Sequence, residues 1–201
     1  PGTGYYFANP LELLIFLDNH DTSRFLRDAE DSDNKERFRQ AYAFLFTMRG
    51  IPQIYYGDEI GMFAHKKEGD GALRADFPGG WPGDQQNAFT SSGRTAQQND
   101  FYDYLQKLLT WRQHNEVIAK GSLKHFAPQK GVYVYERKLG NQSVVVFLNG
   151  TDDSQTINLD AYKEVIPRNS TKDIISETSY DLSVDLTMPQ RGVFIFEFKE
   201  E

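Results

Sequence analysis

"LELLIFLDNHDTSRF", residues 11–25, decides how the chain is read. Leu11 to Leu17 is nearly continuous apolar, the pattern of a strand covered on both faces in a parallel sheet. The run ends abruptly in Asn19, His20 and Asp21, three hydrogen-bonding side chains of which one titrates near neutral pH. An acidic loop, "RDAEDSD", leads into "NKERFRQAYAFLFTMRG" (34–50), where Phe38, Ala41, Tyr42, Leu45 and Met48 recur at helical spacing. Asp33 and Glu36 stand where an N-cap and its third residue would stand. Gly50 stops the helix, Pro52 forbids its continuation, and "QIYYG" (53–57) reads as a second short buried strand. Strand, helix and strand with tight joints make a βαβ unit, hence a parallel pair and a right-handed crossover.

Residues 60–98 are rich in Gly, Pro and polar side chains and show no sustained period, as expected of a long functional loop. A second amphipathic helix follows in "DFYDYLQKLLTWRQH" (100–114), with Phe101, Tyr104, Leu105, Leu108, Trp111 and Arg112 on one face. From about Val117 the character changes. "VYVYERK", "SVVVFLN", "QTINL", "LSVDLTM" and "GVFIFEF" alternate or are β-branched, with turn residues between them, which predicts an antiparallel sandwich of six to eight strands. The expected division is therefore residues 1–116, an α/β part with a long loop at 60–98, and residues 117–201, an all-β domain.

The chain of 201 residues carries a net charge of -7, which argues against nucleic acid or an anionic membrane surface as partner. There is no cysteine, so neither a disulfide framework nor a thiolate metal site is available, and the compartment stays open. No apolar run is long enough for a membrane span and no signal peptide is visible. The first residue is Pro1, as in a processed product or an excised piece of a longer chain. Aromatic residues make up 14%; flat rings suit sugars, but most aromatics build cores.

In an α/β barrel the C-terminal strand ends converge on one mouth and carry the chemistry. Asn19, His20 and Asp21 stand at such an end. A carboxylate beside an imidazole there can orient a substrate, exchange a proton or steady a positive charge. The plainer alternative has Asp21, with Thr22 and Ser23, capping a turn. In the loop, Asp70 and Arg74 stand four apart; an Arg can fork onto hydroxyls or onto the Asp, with a solvated ion pair as the alternative. Asp76, Phe77 and Trp81 lie close by, and either ring offers a stacking face. At least one of Tyr55 and Tyr56 is expected in the core.

"LLIFLDNHDTSRF" resembles the seventh-strand signature of the α-amylase family of glycoside hydrolases. "RQAYAFLFTMRGIPQIYYGDEIGM" resembles that family's next helix, eighth strand and following turn, in the same order and at the same spacing. The β-rich tail is similar to its C-terminal domain. "HDTSRF" and "ALRADFPGGWPGD" look most like cyclomaltodextrinases and neopullulanases.

The resemblance implies the C-terminal portion of a (β/α)8 barrel, about strands 7 and 8 with their helices, followed by an antiparallel β-sandwich. It also implies a retaining hydrolase of α-1,4 and perhaps α-1,6 glucosidic bonds in starch-derived oligosaccharides or cyclodextrins. Asp21 then corresponds to the carboxylate that stabilises the transition state, and His20, Asp70 and Arg74 to sugar-binding residues. Asn19 shapes the turn, while Asp58 and Glu59 are structural. The nucleophile and the acid/base belong to earlier strands, so the chain alone is expected to be inactive and to depend on the N-terminal part of the same barrel, or on a homodimer, to cover its strands. No cofactor is evident; calcium, held in many members by earlier loops, is left undecided for a longer parent. A catalytically silent amylase-like scaffold is the competing reading, and a carbohydrate-binding role for the sandwich a third.

Overall fold

The computed structural model describes residues 8–167 and 170–200, without the side chain of Asp33. The chain divides into two compact units. One joins residues 14–45 to 51–109; the other joins residues 46–50 and 110–200 to the described residues before Leu14.

In the first unit the parallel pair is present but short. Strand β1 (Leu14–Ile15) lies beside β2 (Ile51–Pro52) in the register Leu14 with Ile51 and Ile15 with Pro52. The Gln53 N–H extends the ladder by donating to the Ile15 carbonyl at 2.8 Å. The expected strand over 11–17 is thus only two residues long, because Pro10–Glu12 forms a 3-10 turn. Nor is it covered on both faces: Leu14 and Ile51 are about half exposed, since two strands cannot build a covered sheet. The second strand likewise falls before "QIYYG" rather than within it.

Helix α1 (Ala29–Asp33) occupies the acidic loop, capped by the Asp28 carboxylate on the Asp31 N–H. Helix α2 (Lys35–Thr47) is capped by Asn34, whose Oδ1 accepts from the Arg37 N–H at 3.0 Å. The cap was expected at Asp33, which instead ends α1 and whose side chain lies outside the described residues. Phe38, Tyr42 and Leu45 are buried as their spacing predicts, and Phe38 meets Tyr42 and Phe101 with ring centroids 4.4 and 4.3 Å apart. The short helix α3 (Asp70–Leu73) interrupts the long loop. Helix α4 (Ala96–Gln113) begins at a capping box: Thr95 Oγ1 accepts from the Gln98 N–H, and Gln98 Oε1 from the Thr95 N–H. It buries Phe101, Tyr104, Leu105 and Leu108, four of the six residues assigned to its apolar face.

The second unit opens with α5 (Glu116–Lys120), capped by Asn115. Eight strands follow: β3 (Ser122–His125), β4 (Val132–Leu139), β5 (Gln142–Asn149), β6 (Gln155–Ile157), β7 (Ser170–Lys172), β8 (Ser179–Asp181), β9 (Leu186–Met188) and β10 (Val193–Lys199). The main antiparallel sheet runs β10-β5-β4-β3, and β6-β9 and β7-β8 form two-stranded sheets. Val134, Phe147, Phe196, Leu159, Leu182 and Met188 belong to one continuous core that joins strands of the main sheet to the smaller elements. These antiparallel layers make the C-terminal part a β-sandwich, in line with the alternating sequence pattern.

The opposite face of β4 is also buried, and there the sheet grips residues 46–50. A helix ends with carbonyls that have no partner in the helix. Arg112 donates to the carbonyls of Phe46 and Gly50. Arg137, wholly buried, donates to those of Thr47, Gly121 and Ser122 at 3.0, 2.8 and 3.2 Å. Two guanidinium groups thus satisfy the end of α2, where the helix dipole favours positive charge. Burial, with Arg112 nearby, pulls Arg137 down to about 10. Arg137→Met strands three carbonyls, and we expect it to lower the unfolding free energy by about 3 kcal/mol. Urea unfolding followed by circular dichroism measures this; a midpoint unchanged from wild type would contradict the assignment.

Candidate functional site

After the polar tip, residues 23–26 run alongside residues 64–66. The Arg24 N–H donates to the Ala64 carbonyl, the Ala64 N–H to that of Leu26, and the Lys66 N–H to Ser23 Oγ. This pairing carries the start of the long loop to the tip of β1. Tyr55 and Tyr56 then set α3 from beneath: their hydroxyls donate to the carbonyls of Leu73 (3.4 Å) and Ala75 (2.9 Å). Neither ring is fully buried, contrary to the expectation that one belongs to the core, because both hydroxyls serve the loop.

The result is one exposed cluster holding all four residues singled out from the sequence. Arg74 Nη2 lies 3.1 Å from Asp21 Oδ1 and 3.2 Å from Asp70 Oδ2, and Arg74 Nε donates to the His20 carbonyl at 3.2 Å. His20 Nε2 is 3.2 Å from Asp21 Oδ2. The Asp21 side chain is not spent on the turn. Asn19 does that, its Oδ1 accepting from the Asp21 N–H at 2.8 Å while Thr22 Oγ1 accepts from the Asn19 N–H. Lys66, which the sequence reading passed over, joins through Nζ, 2.5 Å from Asp70 Oδ1. A repeated spacing of four (Lys66, Asp70, Arg74) was the available signal. Lys66, with Arg74 behind it, lowers the Asp70 carboxyl below its ordinary value. The cluster presents two carboxylates, an imidazole, an ammonium and a guanidinium to solvent, a set suited to grasping vicinal hydroxyls.

Beneath it lies a second, buried charge cluster. Arg24 is fully enclosed. Its Nη1 donates to the Tyr56 carbonyl at 2.8 Å and lies 3.3 Å from Asp58 Oδ1. Its Cζ stands 4.4 Å from the centroid of Tyr55, and among the described residues its Nε and Nη2 find no hydrogen-bond partner. Asp58 Oδ2 accepts from the Tyr55 N–H, and Asp18 Oδ2 from the Phe25 N–H. Asp58 and Glu59 are structural, as expected; Glu59 accepts from the Gly57 N–H. Asp18 and Arg24 went unremarked in the sequence because burial, which no motif encodes, gives them their role. Burial raises both Asp18 and Asp58, and the charge of Asp18 pushes Asp58 further up, well above the ordinary range. Among the described residues no three His, Asp or Glu side chains are grouped to hold a metal ion. No helix among them is long and apolar enough to cross a membrane.

A strand–helix–strand piece with polar residues at its strand ends, followed in sequence by an antiparallel sandwich, defines an α/β segment with an appended β domain. Residues 7–121 match the family model for the alpha amylase catalytic domain, and residues 123–197 that for the cyclo-malto-dextrinase C-terminal domain. The chain belongs to the α-amylase family. It is 35% identical over 162 residues to a cyclomaltodextrin glucanotransferase of Bacillus sp. (strain 6.6.3), covering 81% of this chain and 20% of that one. It is 34% identical over 145 residues to an alpha-amylase of Niallia circulans, covering 72% and 23%. The solved Anoxybacillus alpha-amylase superposes with a TM-score of 0.75 at 22% identity, covering 98% of this chain and 40% of that one, a likeness of fold. The chain thus spans about a fifth of the length of these curated relatives.

The buried carboxyl pair makes stability depend on pH. Both groups hold their proton more tightly folded than unfolded, so stability falls as pH rises from the ordinary Asp value of 3.8 through their raised values. Asp18→Asn keeps an oxygen for the Phe25 N–H but removes one charge, so it should flatten this fall. Thermal unfolding followed from pH 3.8 upward tests it; a variant with the wild-type slope would refute the shared-burial account.

Proposed function

We propose that this chain is the C-terminal portion of a retaining α-glucan hydrolase. It would cleave α-1,4 glucosidic bonds in starch-derived oligosaccharides or cyclodextrins. The observation that carries this reading is the convergence of Asp21, His20, Asp70 and Arg74, four residues drawn from two separated stretches, on one exposed point. The names of the relatives, cyclomaltodextrin glucanotransferase and alpha-amylase, support the substrate class.

In a retaining glycosidase one carboxylate attacks the anomeric carbon while a second, roughly 5 Å away, protonates the leaving oxygen. Asp21 does neither in this reading. Its carboxylate accepts hydrogen bonds from sugar hydroxyls at the cleavage subsite and favours the flattened, positively charged ring of the transition state. His20 donates to a hydroxyl of the same ring, a bond that tightens as charge develops. Asp70 and Arg74 hold a more distant sugar, with Lys66 fixing Asp70. The attacking and protonating carboxylates come from the preceding part of the barrel, which also covers β1 and β2. The chain by itself therefore binds without cleaving.

In the enzyme carrying this chain, Asp21→Asn should lower kcat by roughly two to three orders of magnitude. The side chain is exposed, so the same change here should leave the urea midpoint where it was. Release of reducing ends from maltoheptaose is the assay. Near-normal turnover would remove Asp21 from the catalytic set and with it this reading.

A further inference from the structure

The loop after Arg74 displays aromatic rings that neither the core nor the cluster uses. Trp81 and Phe89 are each 63% exposed, and Phe77 packs against Phe89 with centroids 4.6 Å apart at 47°. Single exposed rings are ordinary on protein surfaces. Two exposed rings and a half-buried third packed on one of them, within thirteen residues of a loop closed against itself, are not. The Ala88 N–H donates to the Pro78 carbonyl at 2.9 Å, closing the loop just inside the Phe77–Phe89 pair. Within it, Asp84 Oδ2 accepts from the N–H groups of both Gly79 (2.7 Å) and Trp81 (3.1 Å). Gly79, at φ 101°, lies so close to Asn87 that a Cβ would stand 2.7 Å from its Cα. The backbone under the rings is therefore held before any ligand arrives, which reduces the ordering cost of binding.

We infer that Phe77, Phe89 and Trp81 form a stacking platform for the pyranose rings of an α-glucan, extending the sugar track beyond Asp70 and Arg74. This rests on the function proposed above and adds to it a binding element on the far side of Arg74. Three features select a sugar. A pyranose offers an apolar C–H face to a ring and hydroxyls to its surroundings, and the rim here (Asp84, Gln85) is polar. The only charged residues between Ala75 and Gly93 are Asp76 and Asp84, both acidic, which disfavours nucleic acid and anionic lipid. Phe77 follows Arg74 by three residues, so its Cα lies within about 11 Å, in reach of one oligosaccharide.

Calorimetric titration of the 201-residue chain with maltoheptaose and with β-cyclodextrin tests the platform. Trp81 and Trp111 are the two tryptophans, so Trp111→Phe leaves Trp81 as the sole tryptophan, excited selectively for a second readout. Trp81→Ala and Phe89→Ala should each weaken binding roughly tenfold. Asp84→Ala, which frees the backbone without removing a ring, should weaken it less. Circular dichroism confirms that each variant is folded. Wild-type affinity in folded Trp81→Ala and Phe89→Ala overturns the platform, as does absence of binding by the wild-type chain. Self-association that Trp81→Ala abolishes, without sugar binding, overturns it in favour of a second copy as occupant. If turnover of the longer enzyme survived Asp21→Asn while Trp81→Ala still weakened binding, the hydrolase reading would fall and the platform would stand.

Discussion

A guanidinium sealed from water between the ends of two strands is the constraint on which the first unit turns. Arg24 cannot shed its charge, so its surroundings must answer it. They do so with the Tyr56 carbonyl, the Asp58 carboxylate and the face of Tyr55. Each contact ties the stretch following β1 to the stretch following β2. Replacing Arg24 by an uncharged residue would leave Asp58 buried beside Asp18 with no cation, a more costly state than losing the whole group together. This ion pair and the backbone pairing of residues 24–26 with 64 fasten the two stretches together.

The two charge clusters use the same residue types and reach opposite chemistry through exposure. In the buried one, desolvation dominates and raises both carboxyls. In the exposed one, Asp70 is lowered by its cations and stays ionised. One stretch of chain feeds both: Asp18 and Arg24 face inward while His20 and Asp21 face outward, and Asn19 makes the turn that separates them.

Much of this was legible in the residues. The heptad-like burial of α2, the apolar face of α4, the strand runs after Val117 and the four cluster residues all follow from periodicity or motif. Strand lengths did not follow. "LELLIFL" is as apolar as a covered strand, yet Pro10 opens a 3-10 turn and the ladder ends after Ile15. Nor did the caps. Asp33 and Asn34 are both good cap residues, and only the ending of α1 at Asp33 gives Asn34 the role. The contacts of Arg112 and Arg137 with residues 46–50 bridge more than sixty positions, a separation at which local pattern carries no signal.

The exposure of the outer cluster bears on the catalytic reading of Asp21. At 65% exposure its interaction with Arg74 is a surface ion pair, worth about 0–1 kcal/mol. Three orders of magnitude in rate require about 4 kcal/mol of selective stabilisation. The same carboxylate supplies that only where water is excluded and the effective dielectric falls. Leu14 and Ile51, apolar strand residues left about half exposed, mark a neighbouring surface suited to being covered. Elements packed there would dehydrate the strand ends as well, turning a screened carboxylate into an effective partner for a cationic ring. In this reading strand packing and catalytic power depend on the same covering surface.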